Sequence, residues 1–110
     1  MNLINDIQQK QHELDISIKM LREKGTIFAQ AEHDYKIALR VEALKLRSEK
    51  GMAVGLINQI VYGIPEIAKL RFQRDVSEAV YRANQEAINS IKLQIRIIDN
   101  QISREWGNTK

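Results

Sequence analysis

His12 and His33 are the only imidazoles in the chain, and there is no cysteine. A metal site built on His33 needs a carboxylate or second imidazole one helical turn away, but the neighbouring Glu32 and Asp34 point in other directions around a helix. The Glu-x-x-His pairs of helical di-iron bundles are missing, because Gln9 and Gln30 stand where those glutamates would be. The lack of cysteine removes disulfide frameworks, thiolate nucleophiles and nearly every structural zinc arrangement. Gly51, Gly55 and Gly63 are separated by apolar residues, and no Gly-Lys-Ser/Thr follows them, so there is no phosphate-cradling loop. No Ser/His/Asp or paired-carboxylate arrangement can be assembled. The sequence assigns no catalytic residue, no metal ligand and no cofactor, and the expected class is a non-enzymatic protein.

The suggestive constellation is basic. Lys36, Arg40, Lys45, Arg47 and Lys50 precede a glycine-bounded apolar segment, and Lys69, Arg71, Arg74 and Arg82 follow it. If the two flanks fold back on each other, these charges converge on one end of a hairpin. Arginine presents a planar fork suited to phosphate or carboxylate, which makes Arg40, Arg47, Arg71 and Arg74 the candidate anion- or partner-binding residues. Glu42, Glu49, Glu66 and Asp75 are interleaved with them, so a solvated, salt-bridged helix surface is the competing reading. With a formal charge of +3 over 110 residues, polyanion binding is allowed and not demanded.

The elements that must position these residues follow from spacing. From Ile4 the chain steps by three and four through Ile7, Gln11, Leu14, Ile18, Leu21, Gly25, Phe28, Glu32, Tyr35, Leu39, Glu42 and Leu46, the seam of one long helix over about residues 3–50. Gly25 is a candidate kink. Lys50-Gly51 reads as a helix end, with a cation at the negative dipole pole and a glycine free to turn left-handed. A short cap over about 53–63 is expected to fold Leu56, Ile60 and Tyr62 down over the end of the hairpin. Pro65-Glu66 opens a second long helix over about 65–106. Its first half is expected to bury Ala68, Phe72, Val76, Ala79, Val80, Ala83 and Ala87, and its second half to continue through Ile88, Ile91, Ile95, Ile98 and Ile102 to Trp106, before a frayed tail of residues 107–110.

The fold class implied is all-α: a long, coiled-coil-like antiparallel helical hairpin, one domain over 1–110, with a short helical cap at the bend. Leu93 and Ile97 lie about 100° or more around the helix from the isoleucine seam, so this segment is apolar on more than one side. A homo-oligomer is therefore expected, with Ile91, Leu93, Ile95, Ile97, Ile98 and Ile102 at the interface. A compact three-helix monomer broken at Gly25 is the alternative. No stretch approaches the roughly 20 apolar residues that span a bilayer, and Met1-Asn2-Leu3-Ile4-Asn5-Asp6 lacks the pattern of an export signal. Neither export nor a membrane partner is expected.

The stretches Ala31-Glu32-His33-Asp34-Tyr35-Lys36, Ile67 through Val76 and Ile95 through Trp106 carry a resemblance. The chain resembles small uncharacterised helical proteins of phages and prophages of Gram-positive bacteria, of the type encoded near early replication and recombination genes. The resemblance spans roughly residues 26–106, and its motifs are structural more than chemical. Those relatives have a more polar connection than Val54 to Tyr62 here. The resemblance implies a binding protein of the host cytoplasm that inhibits or redirects a host factor, such as a defence nuclease or its signalling nucleotide. It also admits a nucleic-acid-binding accessory of phage replication or recombination, and a self-assembling structural protein.

Overall fold

The computed structural model describes residues 2–107. Helix α1 is Leu3–Lys50, helix α2 is Val54–Ile60 and runs on into a 3-10 turn at Val61–Gly63, and helix α3 is Pro65–Gly107. The fold is an antiparallel helical hairpin of α1 and α3, with α2 at the bend.

The helix ends form where the residue types demand. The Asn2 side-chain oxygen accepts from the Asn5 N–H at 3.1 Å, satisfying a donor that has no partner within the first turn of α1. At the other end Gly51 takes φ 61°, the left-handed conformation that glycine adopts without a Cβ penalty. The Met52 N–H then returns to the Leu46 carbonyl at 3.3 Å. Arg47 Nη1 donates to the Met52 carbonyl at 3.1 Å and ties the helix to the connection. Proline opens α3 with a φ already suited to the helix, Glu66 faces the positive dipole end, and the Ala68 N–H reaches the Ile64 carbonyl at 2.9 Å. Helix α1 is continuous through Gly25, which overturns the three-helix alternative: one glycine costs about 1 kcal/mol, too little to break a helix of 48 residues held by a seam. Helix α3 includes Gly107, one residue beyond its expected end; the tail expected at Asn108, Thr109 and Lys110 lies outside the described residues.

The chain divides into two compact units, one joining the chain up to Lys24 to the chain from Tyr81, the other comprising Gly25–Val80. In the Gly25–Val80 unit the core is Tyr35 of α1, Ile57 of α2, Val61 of the 3-10 turn and Ile67 of α3. Among the described residues of the other unit only Ile88 is fully buried; around the helix pair Leu14, Leu21, Ile91 and Ile95 are half-buried. There the Asn84 side-chain amide donates to the Ser17 carbonyl at 2.9 Å, a direct link between α3 and α1.

Burial follows a heptad on both long helices. Ile7, Leu14, Leu21, Phe28, Tyr35 and Glu42 repeat every seven residues on α1, and Ile67, Arg74, Tyr81, Ile88, Ile95 and Ile102 do so on α3; all are buried or half-buried. The alternate positions of the α1 seam differ from expectation in its first half: Ile4, Gln11 and Ile18 are exposed, and Leu3, Lys10 and Ser17 turn inward.

The expectation for the first half of α3 is overturned. Ala68, Phe72, Val76, Ala79, Val80, Ala83 and Ala87 are all exposed, Phe72 by 68%. The inward face is Ile67, Leu70, Arg74, Ser77, Glu78, Tyr81 and Asn84. The reason is phase. A continuous helix cannot rotate locally, so Ile67 at one end and the run from Ile88 to Ile102 at the other set which side faces α1, and the residues between them follow.

Candidate functional site

The bend gathers charge and apolar surface together. Residues 36–74 hold eight lysines and arginines against three acids, but Glu32, Asp34 and Asp75 flank that span, and the Gly25–Val80 unit as a whole carries eight bases against seven acids. Three of the cations are paired along their own helix, Lys36 with Glu32 at 3.4 Å, Lys45 with Glu42 at 3.5 Å and Arg74 with Asp75 at 2.8 Å. The two lysine pairs are solvated, so each stabilises by only tenths of a kcal/mol.

The four arginines singled out by sequence are all in this unit, but the structure gives them different surroundings. Arg40 is exposed on α1, about three turns before its end, beside a shallow cavity of about 480 Å³ whose wall also includes Lys36, Asn58 and Tyr62. Arg71 is exposed on α3, with its guanidinium 5.4 Å from the centre of the Tyr62 ring. Arg47 is exposed and donates to the Met52 carbonyl. Arg74 is set apart. It occupies an inward position, its side chain is 21% exposed, its guanidinium lies 4.8 Å from the centre of the buried Tyr35 ring, and its Nε donates to Asp75 at 2.8 Å. A cation over an aromatic face contributes about 1 kcal/mol or somewhat more when desolvated, so Arg74 works as a packing residue.

The cap also differs from expectation. Ile57 and Val61, one turn apart, are the residues that fold down, at 5% and 2% exposure. Leu56, Ile60 and Tyr62, expected to cover the hairpin end, point outward at 46%, 40% and 43%, and Val54 is exposed with them. A helix of seven residues buries one stripe, and the neighbouring stripe is displaced by about 100°. Sequence shows two equivalent i, i+4 pairs, Leu56/Ile60 and Ile57/Val61, and nothing in it ranks one above the other. The outcome is an exposed aliphatic pair, Leu56 and Ile60, on the cap, and an exposed Tyr62 beside Lys36, Arg40 and Arg71.

Of the residues expected at an oligomer interface, Ile91, Ile95, Ile98 and Ile102 are half-buried on the inward heptad of α3. Leu93 and Ile97 are exposed. Among the described residues no group of three or more His, Cys, Asp or Glu is placed to hold a metal ion, and no helix is long and apolar enough to cross a membrane. Comparison with protein-family models, with curated proteins and with solved structures finds no match to this chain.

Proposed function

We propose that the chain is a non-enzymatic binding protein whose working surface is the bend, and that its partner is a protein with an acidic, partly apolar face. The observation that carries this reading is that the cap turns Leu56, Ile60 and Tyr62 outward, with Tyr62 beside Lys36, Arg40 and Arg71. Exposed aliphatic and aromatic side chains close to cations are the composition of a protein-recognition surface. The cations steer an acidic partner, and the aliphatic groups supply contact area that desolvates on docking. A phosphate backbone complements the cations but offers nothing to Val54, Leu56 and Ile60. The resemblance to phage-encoded proteins makes a factor of the host cytoplasm, of the kind used in defence, the partner class of choice.

The test uses two variants, Lys36→Glu/Arg40→Glu and Leu56→Asp/Ile60→Asp, as baits beside the wild type in host lysate. A partner retained by the wild type and lost from both variants is the expected result. In parallel, labelled duplex and single-stranded DNA are titrated at 50 and 200 mM salt. Tight DNA binding that weakens steeply with salt, carried by the Lys36/Arg40 pair and indifferent to Leu56/Ile60, would replace the protein partner with nucleic acid.

A further inference from the structure

The cavity beside Arg40 combines an apolar lining with cations. Its apolar lining includes Leu39 and Ala43 of α1, both half-buried, and Val61 of the 3-10 turn, only 2% exposed. Its exposed polar lining is Lys36, Arg40, His33 and Asn58, and no carboxylate belongs to it. At about 480 Å³ the space falls within the range of about 300–1,000 Å³ typical of binding pockets.

The two cations are not equivalent. They stand four residues apart on one face of α1, about 6 Å along its axis. Glu32 holds Lys36 at 3.4 Å, whereas Arg40 has no ion-pair partner among the described residues. An exposed guanidinium fork beside an apolar lining, with no acid in the wall, complements a carboxylate carried next to an apolar group. The cavity is shallow, and sites for free small molecules enclose most of the ligand. A peptide does not depend on enclosure, because it continues past the cavity: Tyr62 offers a ring 43% exposed, with the Arg71 guanidinium 5.4 Å from its centre, and the Asn58 amide can pair with a peptide group.

We propose that the cavity seats one apolar side chain of an extended partner segment, and that Arg40 takes a carboxylate two residues away from it. In an extended chain residues i and i+2 lie on the same side, about 7 Å apart. Arg40 and Ala43 are neighbours one turn apart on α1, so the two side chains of such a segment reach the cation and the apolar lining together. The inference rests on the bend as the working surface and adds the kind of segment that surface selects.

A display library of random dodecapeptides is selected on the full chain, and the enriched peptides are titrated by fluorescence anisotropy against the wild type, Arg40→Gln and Ala43→Trp. The enriched peptides are expected to carry an aspartate or glutamate two positions from an aliphatic or aromatic residue. Ala43→Trp fills the cavity and is expected to abolish binding with helicity unchanged. Arg40→Gln is expected to weaken binding about ten-fold, and exchanging the peptide's acid for its amide to weaken it about ten-fold on the wild type but hardly at all on Arg40→Gln. If Ala43→Trp loses helicity, the coupling between Arg40 and the peptide acid decides alone. No enrichment, enriched peptides without an acid, full binding to a folded Ala43→Trp, or independent losses at Arg40 and the peptide acid would overturn the proposal. A lysate partner retained by Ala43→Trp but lost from Leu56→Asp/Ile60→Asp would also overturn it while leaving the bend as the working surface.

Discussion

Replacing Ile57 and Ile60 in turn separates the two faces of the cap. Both are isoleucines of α2, three residues apart, yet one is 5% and the other 40% exposed. Ile→Ala removes three carbons, worth about 0.8 kcal/mol each when taken out of a buried site, so Ile57→Ala loses about 2.4 kcal/mol of transfer free energy. Incomplete collapse around the vacated space brings the loss to about 3 kcal/mol. Ile60 keeps two fifths of its surface in water and leaves no enclosed space, so Ile60→Ala is expected to cost about 1 kcal/mol. With an m value of about 1.5 kcal/mol/M in urea, the difference between the variants appears as a midpoint separation of about 1.3 M. The assay is urea unfolding followed by far-UV circular dichroism at one fixed protein concentration, so that any self-association affects both variants alike. The aspartates sharpen the contrast: Ile57→Asp buries an unpaired carboxylate and is expected to unfold the cap, while Ile60→Asp is expected to remain folded. Equal midpoints for the two alanine variants, or a larger loss at Ile60, would show that α2 presents its other stripe to the core.

Further outcomes follow from single contacts. Arg74→Glu removes the guanidinium from the Tyr35 face and sets a carboxylate beside Asp75 at an inward position; a loss of about 2 kcal/mol is expected in the same unfolding assay, against less than about 0.5 kcal/mol for exposed Arg71→Glu. Asn84→Ala removes the donor to the Ser17 carbonyl and is expected to cost about 1 kcal/mol, with faster amide exchange in the surrounding turns of α1 and α3. Gly51→Ala meets no neighbouring atom but must hold φ near 61°, so a loss of about 1 kcal/mol is expected in its unfolding midpoint, and a neutral result would show that the connection relaxes to another conformation.

The long elements were legible because their signals are redundant. The heptads through Ile7 to Glu42 and through Ile88 to Ile102, Gly51 at one helix end and Pro65 at the next helix start agree with one another over dozens of residues. Between Ile67 and Ile88 two stripes compete on α3, and local hydrophobicity favours the wrong one: Phe72, Val76 and Val80 are more apolar than Arg74, Ser77 and Asn84. Only the phase carried along the helix from its ends selects the polar stripe as the inward one, and a reading by local hydrophobicity misses that. The candidate site was legible in part for a related reason. Convergence of the arginines at the bend follows from chain reversal alone. Which of them is free to face a partner depends on inward and outward positions, and Arg74 is withdrawn from the set by its heptad register with Ile67. The outward direction of Leu56 and Ile60 had no sequence signal, since Ile57 and Val61 offer the same spacing and the same chemistry.

Site-specific photo-cross-linking in cells that express the chain tests the proposed role of the bend most directly. A photoreactive residue replaces Leu56, exposed on the outer cap, or Leu93, exposed on α3 away from it, each in a wild-type and a Lys36→Glu/Arg40→Glu background. A discrete protein adduct from position 56 that is absent from position 93, and that disappears when the two cations are reversed, is the predicted result. Adducts from position 93 alone, or an adduct from position 56 that persists unchanged after the reversal, would contradict a working surface made of apolar cap and basic bend together.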